Sequence, residues 1–241
     1  MSTDQRATQL ENDQLVHELL LPLVEIFETV EGEGTAAGYP TTFVRLFGCP
    51  LRCVWCDTKY SYPPYHAEMS LSIRDIVQRV SANQARRVCL TGGEPLLYER
   101  QATLLLQELA KLPQMVDIHV ETSGAIDLTP FLQEVQSPKV RYILDYKLFG
   151  SGETEKMHLP NVEKLRVTDE LKFVIASRAD FEQACQVLED YEVKCIVLFS
   201  PVWDSLSPSE LVQWMLARGL AEVKLSLQTH KFVWDPNQRG V

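Results

Sequence analysis

"GCPLRCVWCDTKYSY", residues 48–62, places three cysteines, Cys49, Cys53 and Cys56, within eight residues. No fourth cysteine follows at the spacing of a second knuckle. A structural zinc site needs four protein ligands, normally supplied as two pairs. The nearest histidine, His66, lies ten residues past Cys56 beyond "YPPY", so zinc would have to recruit it or a distant cysteine. A redox pair made of Cys53 and Cys56 leaves Cys49 without a task. Three thiolates suit a 4Fe–4S cluster, whose irons usually take four cysteines. With only three, one iron is left open to a substrate or cofactor.

The trio follows "TFVRLFG" (42–48), a run that reads as a strand, and the same arrangement recurs along the chain. Further strand candidates are "VCLTGG" (88–93), "IHVETSG" (118–124), "YILDYK" (142–147), "LKFVIA" (171–176), "CIVLFSP" (195–201) and "VKLSLQTH" (223–230). They are rich in Val, Ile, Leu and Phe without clean alternation, as parallel strands covered by helices are. The intervening segments carry helix starts. Ser72 precedes Asp75, Ser177 precedes Asp180, and Ser207-Pro208 precedes Glu210, with Gly219 as a stop. Strand and helix alternate about six times, which predicts one α/β domain with a parallel sheet curled toward a barrel. Polar or glycine-rich clusters fall just after the strands: "GCPLRC", "TGGEP", "ETSG", "DYK", "SP" and "QTH". Carboxyl ends of parallel strands are where sites are assembled, so these clusters are expected to meet.

The 241 residues are 45% apolar and carry a formal charge of −10. That is enough for a sizeable core, and the acidic balance repels phosphate backbones, disfavouring nucleic acid as a partner. No run approaches the ~20 apolar residues of a membrane span, and residues 1–20 lack the pattern of a secretory signal. Those residues are polar and read as a mobile extension with a short helix around "LVHELL", leaving 21–241 as the domain. Cys89, Cys185 and Cys195 lie in apolar patterns and read as buried small hydrophobes. The chain is expected to be cytoplasmic, where thiols stay reduced and free to bind metal.

Cys49-x3-Cys53-x2-Cys56 resembles the signature of the radical S-adenosylmethionine (SAM) superfamily, and "TGGEP" (91–95) is similar to its second motif. "EIFETVEGEGTAAGYPTTFVRLFGCPLRCVWCDTKYSY", "ETSG" and the closing "LSLQTHKFVW" narrow the resemblance to the 7-carboxy-7-deazaguanine synthases, over residues 24–235. The resemblance implies a partial (βα)6-type radical SAM barrel. It also implies an activity: 6-carboxy-5,6,7,8-tetrahydropterin is converted to 7-carboxy-7-deazaguanine and ammonia, for queuosine-type 7-deazapurines. A 5′-deoxyadenosyl radical would start the reaction, SAM would be reformed each cycle, and Mg²⁺ would assist. A homodimer and an electron donor such as flavodoxin or ferredoxin are implied as well.

Carried over by position, Cys49, Cys53 and Cys56 would hold the cluster and Thr58 would offer its hydroxyl to Mg²⁺, which prefers hard oxygen ligands. The substrate residues would be Val30, Glu31, Gly32, Arg45, Thr91, Gln228 and His230. Arg45 supplies a planar fork suited to a carboxylate. SAM would be met by Trp55, Gly93, Glu121, Ser123 and the tripeptide Asp145-Tyr146-Lys147. Glu33 could hold its turn or face the pterin. Members of the family commonly carry Leu-Gln-Gly where this chain has Val30-Glu31-Gly32, and a carboxylate offers acceptors only where an amide also donates.

Two other readings compete: a radical SAM activase acting on a glycine of a partner protein, and a non-catalytic zinc module. Replacing any one of Cys49, Cys53 or Cys56 with Ala is expected to abolish the brown chromophore of the reconstituted protein. A full iron and sulfide complement in such a variant would remove that cysteine from the ligand set.

Overall fold

The computed structural model describes residues 14–236 and 238–241. Most of the expected extension, residues 1–13, lies outside the described residues; residues 14–18 form one short helical stretch. The strands are β1 (Leu20–Val30), β2 (Pro40–Leu46), β3 (Met69–Ser72), β4 (Arg87–Gly92), β5 (Asp117–Thr122), β6 (Val140–Tyr146), β7 (Glu170–Ile175), β8 (Ile196–Pro201) and β9 (Val223–Leu225). They form one sheet in the order β3-β1-β2-β4-β5-β6-β7-β8-β9. From β2 onward through β4 to β9 every neighbouring pair is parallel. The fold is α/β with a mostly parallel sheet that remains open, so the barrel is partial.

Two strands are additions to the sequence reading. β1 pairs antiparallel with both β2 and β3, making the sheet's one antiparallel corner. β1 hides its character behind Pro22 and the acids Glu25 and Glu28. Pro22 precedes the first β1–β2 pair, Leu23 with Leu46, so it sits at the end of that ladder, where a missing N–H costs little; the register shift between Leu23 and Glu25 falls after it.

The cap signals are realised. Helix α1 (Ile73–Ala82) starts with the Asp75 N–H donating to Ser72 Oγ at 3.1 Å. Helix α2 (Glu99–Lys111) follows β4, and the shorter α3 (Thr129–Glu134) and α4 (Asn161–Lys164) follow β5 and β6. Helix α5 (Arg178–Asp190) is capped by Ser177 and α6 (Pro208–Arg218) by Ser207, each cap worth about 1 kcal/mol. A last short turn, α7 (His230–Val233), closes the described chain. Phe173 of the sheet meets Phe199, which meets Phe181 of α5, which in turn meets Trp214 of α6, with centroids 5.6–5.8 Å apart. Among the described residues no helix is long and apolar enough to cross a membrane.

Side chains alternate along a strand with a period of two. Phe173 therefore points to the helices while Lys172 and Val174 point the other way. That second face, with the loops at the carboxyl ends of the strands, encloses a cavity of about 450 Å³.

Candidate active site

Cys49, Cys53 and Cys56 are free thiols on the loop after β2, and all three line the cavity. The loop is pinned from below and from the side. The Arg52 and Val54 N–H groups donate to Glu153 Oε1 at 2.6 Å and to the Ser151 carbonyl at 3.1 Å. The Glu94 N–H donates to the Gly48 carbonyl at 2.7 Å. Gly93 comes so close that a Cβ there would sit 2.1 Å from Gly48 O and 2.9 Å from Cys49 Cβ, so only glycine brings this turn against the cysteine loop.

Burial pushes the Cys49 thiol up to about 11 and raises Cys53 as well, so both are neutral until a metal displaces their protons. Two ligands about 2.3 Å from one zinc ion can be no more than about 4.6 Å apart. Among the described residues one triad has donor atoms all within 4.8 Å of one another, and it is Glu31, Cys89 and His119 rather than the cysteine trio. Three thiols on one loop, with no carboxylate or imidazole between them, fit a multi-iron cluster.

The floor of the cavity is built around Lys172 of β7, which is 5% exposed. Its Nζ lies 2.9 Å from Glu33 Oε2, 2.8 Å from Glu121 Oε2 and 3.7 Å from Asp145 Oδ2. Asp145 also pairs with Lys147 at 2.9 Å. Although desolvation opposes ionisation, the ammonium and the Gln228 amide hold the Glu33 carboxyl down at about 2. Glu121 is pushed up to about 7, first by burial and then by Glu33 competing for the same ammonium. Asp145 Oδ1 is buried and accepts no hydrogen bond. An acceptor in that state fits a ligand hydroxyl such as those of a nucleoside ribose.

Glu94 joins two of the expected motifs. It is fully buried, and its carboxylate accepts from the Leu96 N–H at 3.0 Å, the Thr122 hydroxyl at 2.9 Å, the Ser123 N–H at 2.7 Å and the Ser123 hydroxyl. "TGGEP" and "ETSG" are thereby one rigid unit.

The turn after β1 is held by its own acids. Glu33 reaches Lys172 and Gln228. Glu31 turns inward, accepting from the Gly32 and Glu33 N–H groups at 2.9 and 3.2 Å and meeting His119 Nε2 at 2.8 Å. Gly32 packs under His230, whose Nδ1 would be 2.2 Å from a Cβ.

At another corner Arg45 donates from Nε to Glu25 at 2.8 Å and lies 6.0 Å from the Tyr60 ring. Arg239 stacks on the same ring at 3.9 Å. Thr58, two residues before Tyr60, donates its hydroxyl to Asp57 Oδ1 at 2.8 Å. Trp55 packs over Gly150, whose Cβ would be 2.8 Å from its ring.

All the carried-over residues line this cavity except Tyr146. Tyr146 is buried on the helix side against Phe173, centroids 5.5 Å apart, because alternation sends it away from Asp145 and Lys147. Its share in any cofactor contact is through its backbone. Lys172, which the sequence does not single out, also lines the cavity, and Glu94 and His119 brace its walls from behind through Ser123 and Glu31.

The residues that carry the resemblance to the radical SAM enzymes thus meet in one cavity, and comparison with known proteins places the chain in that class. Residues 44–143 match the family model of the radical SAM superfamily. The chain is 33% identical over 221 residues to 7-carboxy-7-deazaguanine synthase of Clostridium acetobutylicum, covering 91% of this chain and 98% of that one. It is 37% identical to the enzyme of that name from Leptospira interrogans, covering 90% and 96%. The chain belongs to the 7-carboxy-7-deazaguanine synthase family. The crystal structure of QueE from Escherichia coli shares the fold, with a TM-score of 0.68 at 23% identity over 90% of this chain and 97% of that one.

Folding raises Glu121 from 4.5 to about 7, so the folded state binds the extra proton. Its contribution to stability is fully present below about pH 4.5 and is lost as the pH rises through 7. The thermal midpoint of the protein is expected to fall more steeply between pH 4.5 and 7 than that of Glu121→Gln. Equal slopes would show that Glu121 does not titrate there.

Proposed function

We propose that this chain converts 6-carboxy-5,6,7,8-tetrahydropterin to 7-carboxy-7-deazaguanine and ammonia. The observation that carries the reading is that the cysteine loop and the turn 30–34 open onto one cavity of about 450 Å³, a volume suited to a small ligand. Cys49, Cys53 and Cys56 would hold a 4Fe–4S cluster. When bound, the cluster and SAM supply the electron and the hydrogen-abstracting group; the protein binds, orients and shields.

On the SAM side, the Trp55 ring offers an adenine a face and the Gly93 backbone an approach for the amino group. Asp145 Oδ1 is free to accept from ribose. Glu121 and Lys147 complete the polar lining, while the Ser123 hydroxyl is already donated to Glu94. On the pterin side, Val30, Gly32 and Thr91 give backbone and hydroxyl contacts, and Gln228 and His230 close the edge beside Glu33. A pterin's aminopyrimidinone edge presents adjacent N–H donors, which a carboxylate pairs with well. Arg45 spends Nε on Glu25, leaving its terminal nitrogens for a substrate carboxylate. Thr58 would offer its hydroxyl to Mg²⁺, a hard cation that would supply positive charge for an anionic substrate group. A cytoplasmic homodimer reduced by flavodoxin or ferredoxin is part of the same proposal.

The test is anaerobic reconstitution followed by SAM, dithionite, Mg²⁺ and the carboxypterin, with mass spectrometry for the deazaguanine product. Product is expected without proportional consumption of SAM. SAM cleavage with the pterin untouched would keep the superfamily and remove the substrate. Thr58→Ala is expected to retain the cluster and lose at least about tenfold of the turnover at limiting Mg²⁺; unchanged Mg²⁺ stimulation would remove the metal assignment.

A further inference from the structure

His119 sits in the middle of β5 with no exposed surface, and both of its ring nitrogens face carboxylates. Nε2 is 2.8 Å from Glu31 Oε2 and Nδ1 is 2.8 Å from Asp117 Oδ2. A neutral imidazole has one N–H and one lone pair, so it can donate to one of these oxygens only. The other contact would set lone pair against lone pair in a dry interior. A ring that carries both protons satisfies the two contacts together, and the surroundings of the acids suit it. Asp117 accepts from Arg141 Nε at 2.6 Å and Nη2 at 3.2 Å, and Glu31 Oε1 accepts two backbone N–H groups.

We propose that His119 is a positioning residue for the substrate-facing turn 30–34: doubly protonated between Glu31 and Asp117, it draws the Glu31 carboxylate into the sheet and so fixes the backbone of Gly32 and Glu33.

The consequence follows along the chain. With Glu31 drawn inward, the turn shows a ligand the backbone at Val30 and Gly32 and the side chain of Glu33. The same charge chain continues behind His119, since Arg141 also pairs with the buried Glu170, which accepts from the Thr35 hydroxyl and N–H just past the turn. Both ends of the turn are therefore tied to one buried network. The ionisable groups around the ring are Glu31 from the turn, Asp117 on its own strand and Cys89 of β4, with Glu121 next to Cys89 and Glu31. Burial disfavours the imidazolium, while the ring's hydrogen bonds to Asp117 and Glu31 oppose that and raise it; a neutral Cys89 adds no charge to them. The thiol of Cys89 is pushed up to about 12 by the same burial and stays neutral.

A glutamine at 31 would change the proton count. Its amide could accept from the two backbone N–H groups and donate to a neutral His119, whose remaining N–H would stay on Asp117. Removing only the histidine would leave Glu31 as a buried charge without a cation, the costly way to break such a pair.

The experiment is nitrogen-15 NMR of the histidine rings, assigned among the five histidines by His119→Gln. In the protein as it is, both His119 ring nitrogens should carry protons throughout the range where exposed histidines titrate. In Glu31→Gln, Nε2 should lose its proton. Kinetically, His119→Gln should raise KM for the carboxypterin at least about tenfold and move kcat by less than about threefold. The double variant Glu31→Gln/His119→Gln should recover most of that loss. The kinetic arm rests on the function proposed above; the NMR arm does not, and it decides alone if His119→Gln fails to fold. A single neutral tautomer in the unmodified protein, or additive losses in the double variant, would overturn the proposal. So would one zinc per chain that His119→Gln releases, since Glu31, Cys89 and His119 would then hold a metal in place of the proton.

Discussion

A buried ammonium is the constraint on which the site depends. Moving Lys172 out of water costs several kcal/mol, and one carboxylate rarely offsets it. Here three do so, from the turn after β1, from β5 and from β6. Each must come to the same point, so the electrostatics of one side chain sets the relative position of three segments. Burial, and after it the neighbouring Glu33 charge, is why Glu121 keeps a proton so readily, while the ammonium and Gln228 hold Glu33 ionised. A polar floor with spare acceptors suits ligands rich in N–H and O–H groups.

The cysteine loop is organised differently, through backbone. Gly93 allows a van der Waals approach that any side chain would block, and Glu94 anchors that turn to Thr122 and Ser123 with three hydrogen bonds. A carboxylate saturated by N–H and O–H donors is rigid. The cysteine loop is thus fixed by packing and hydrogen bonds, and the cavity floor by charge.

Much of this was legible because parallel α/β folds concentrate chemistry at strand ends. The trio, "TGGEP" and "ETSG" each followed a readable strand, and Ser72, Ser177 and Ser207 marked their helices. What escaped notice lay inside strands. Lys172 in "LKFVIA" and His119 in "IHVET" read as interruptions in apolar runs, although a lysine is almost never buried unless paired. Their partners are 139 and 88 residues away, beyond any local pattern. Tyr146 failed in the opposite sense. It lies inside a plausible tripeptide, yet the pleat turns its ring into the core. β1 was missed because Pro22 and two acids break the apolar pattern at the end of the ladder and on the half-exposed corner.

The central claim is that the thiol loop and the charged floor are separately built halves of one site. Lys172→Met tests it most directly. After anaerobic reconstitution, its iron content should stay at about four per chain, while calorimetric binding of the carboxypterin should weaken at least about tenfold. Pterin bound as tightly as by the unmodified protein, with the cluster equally intact, would contradict the account.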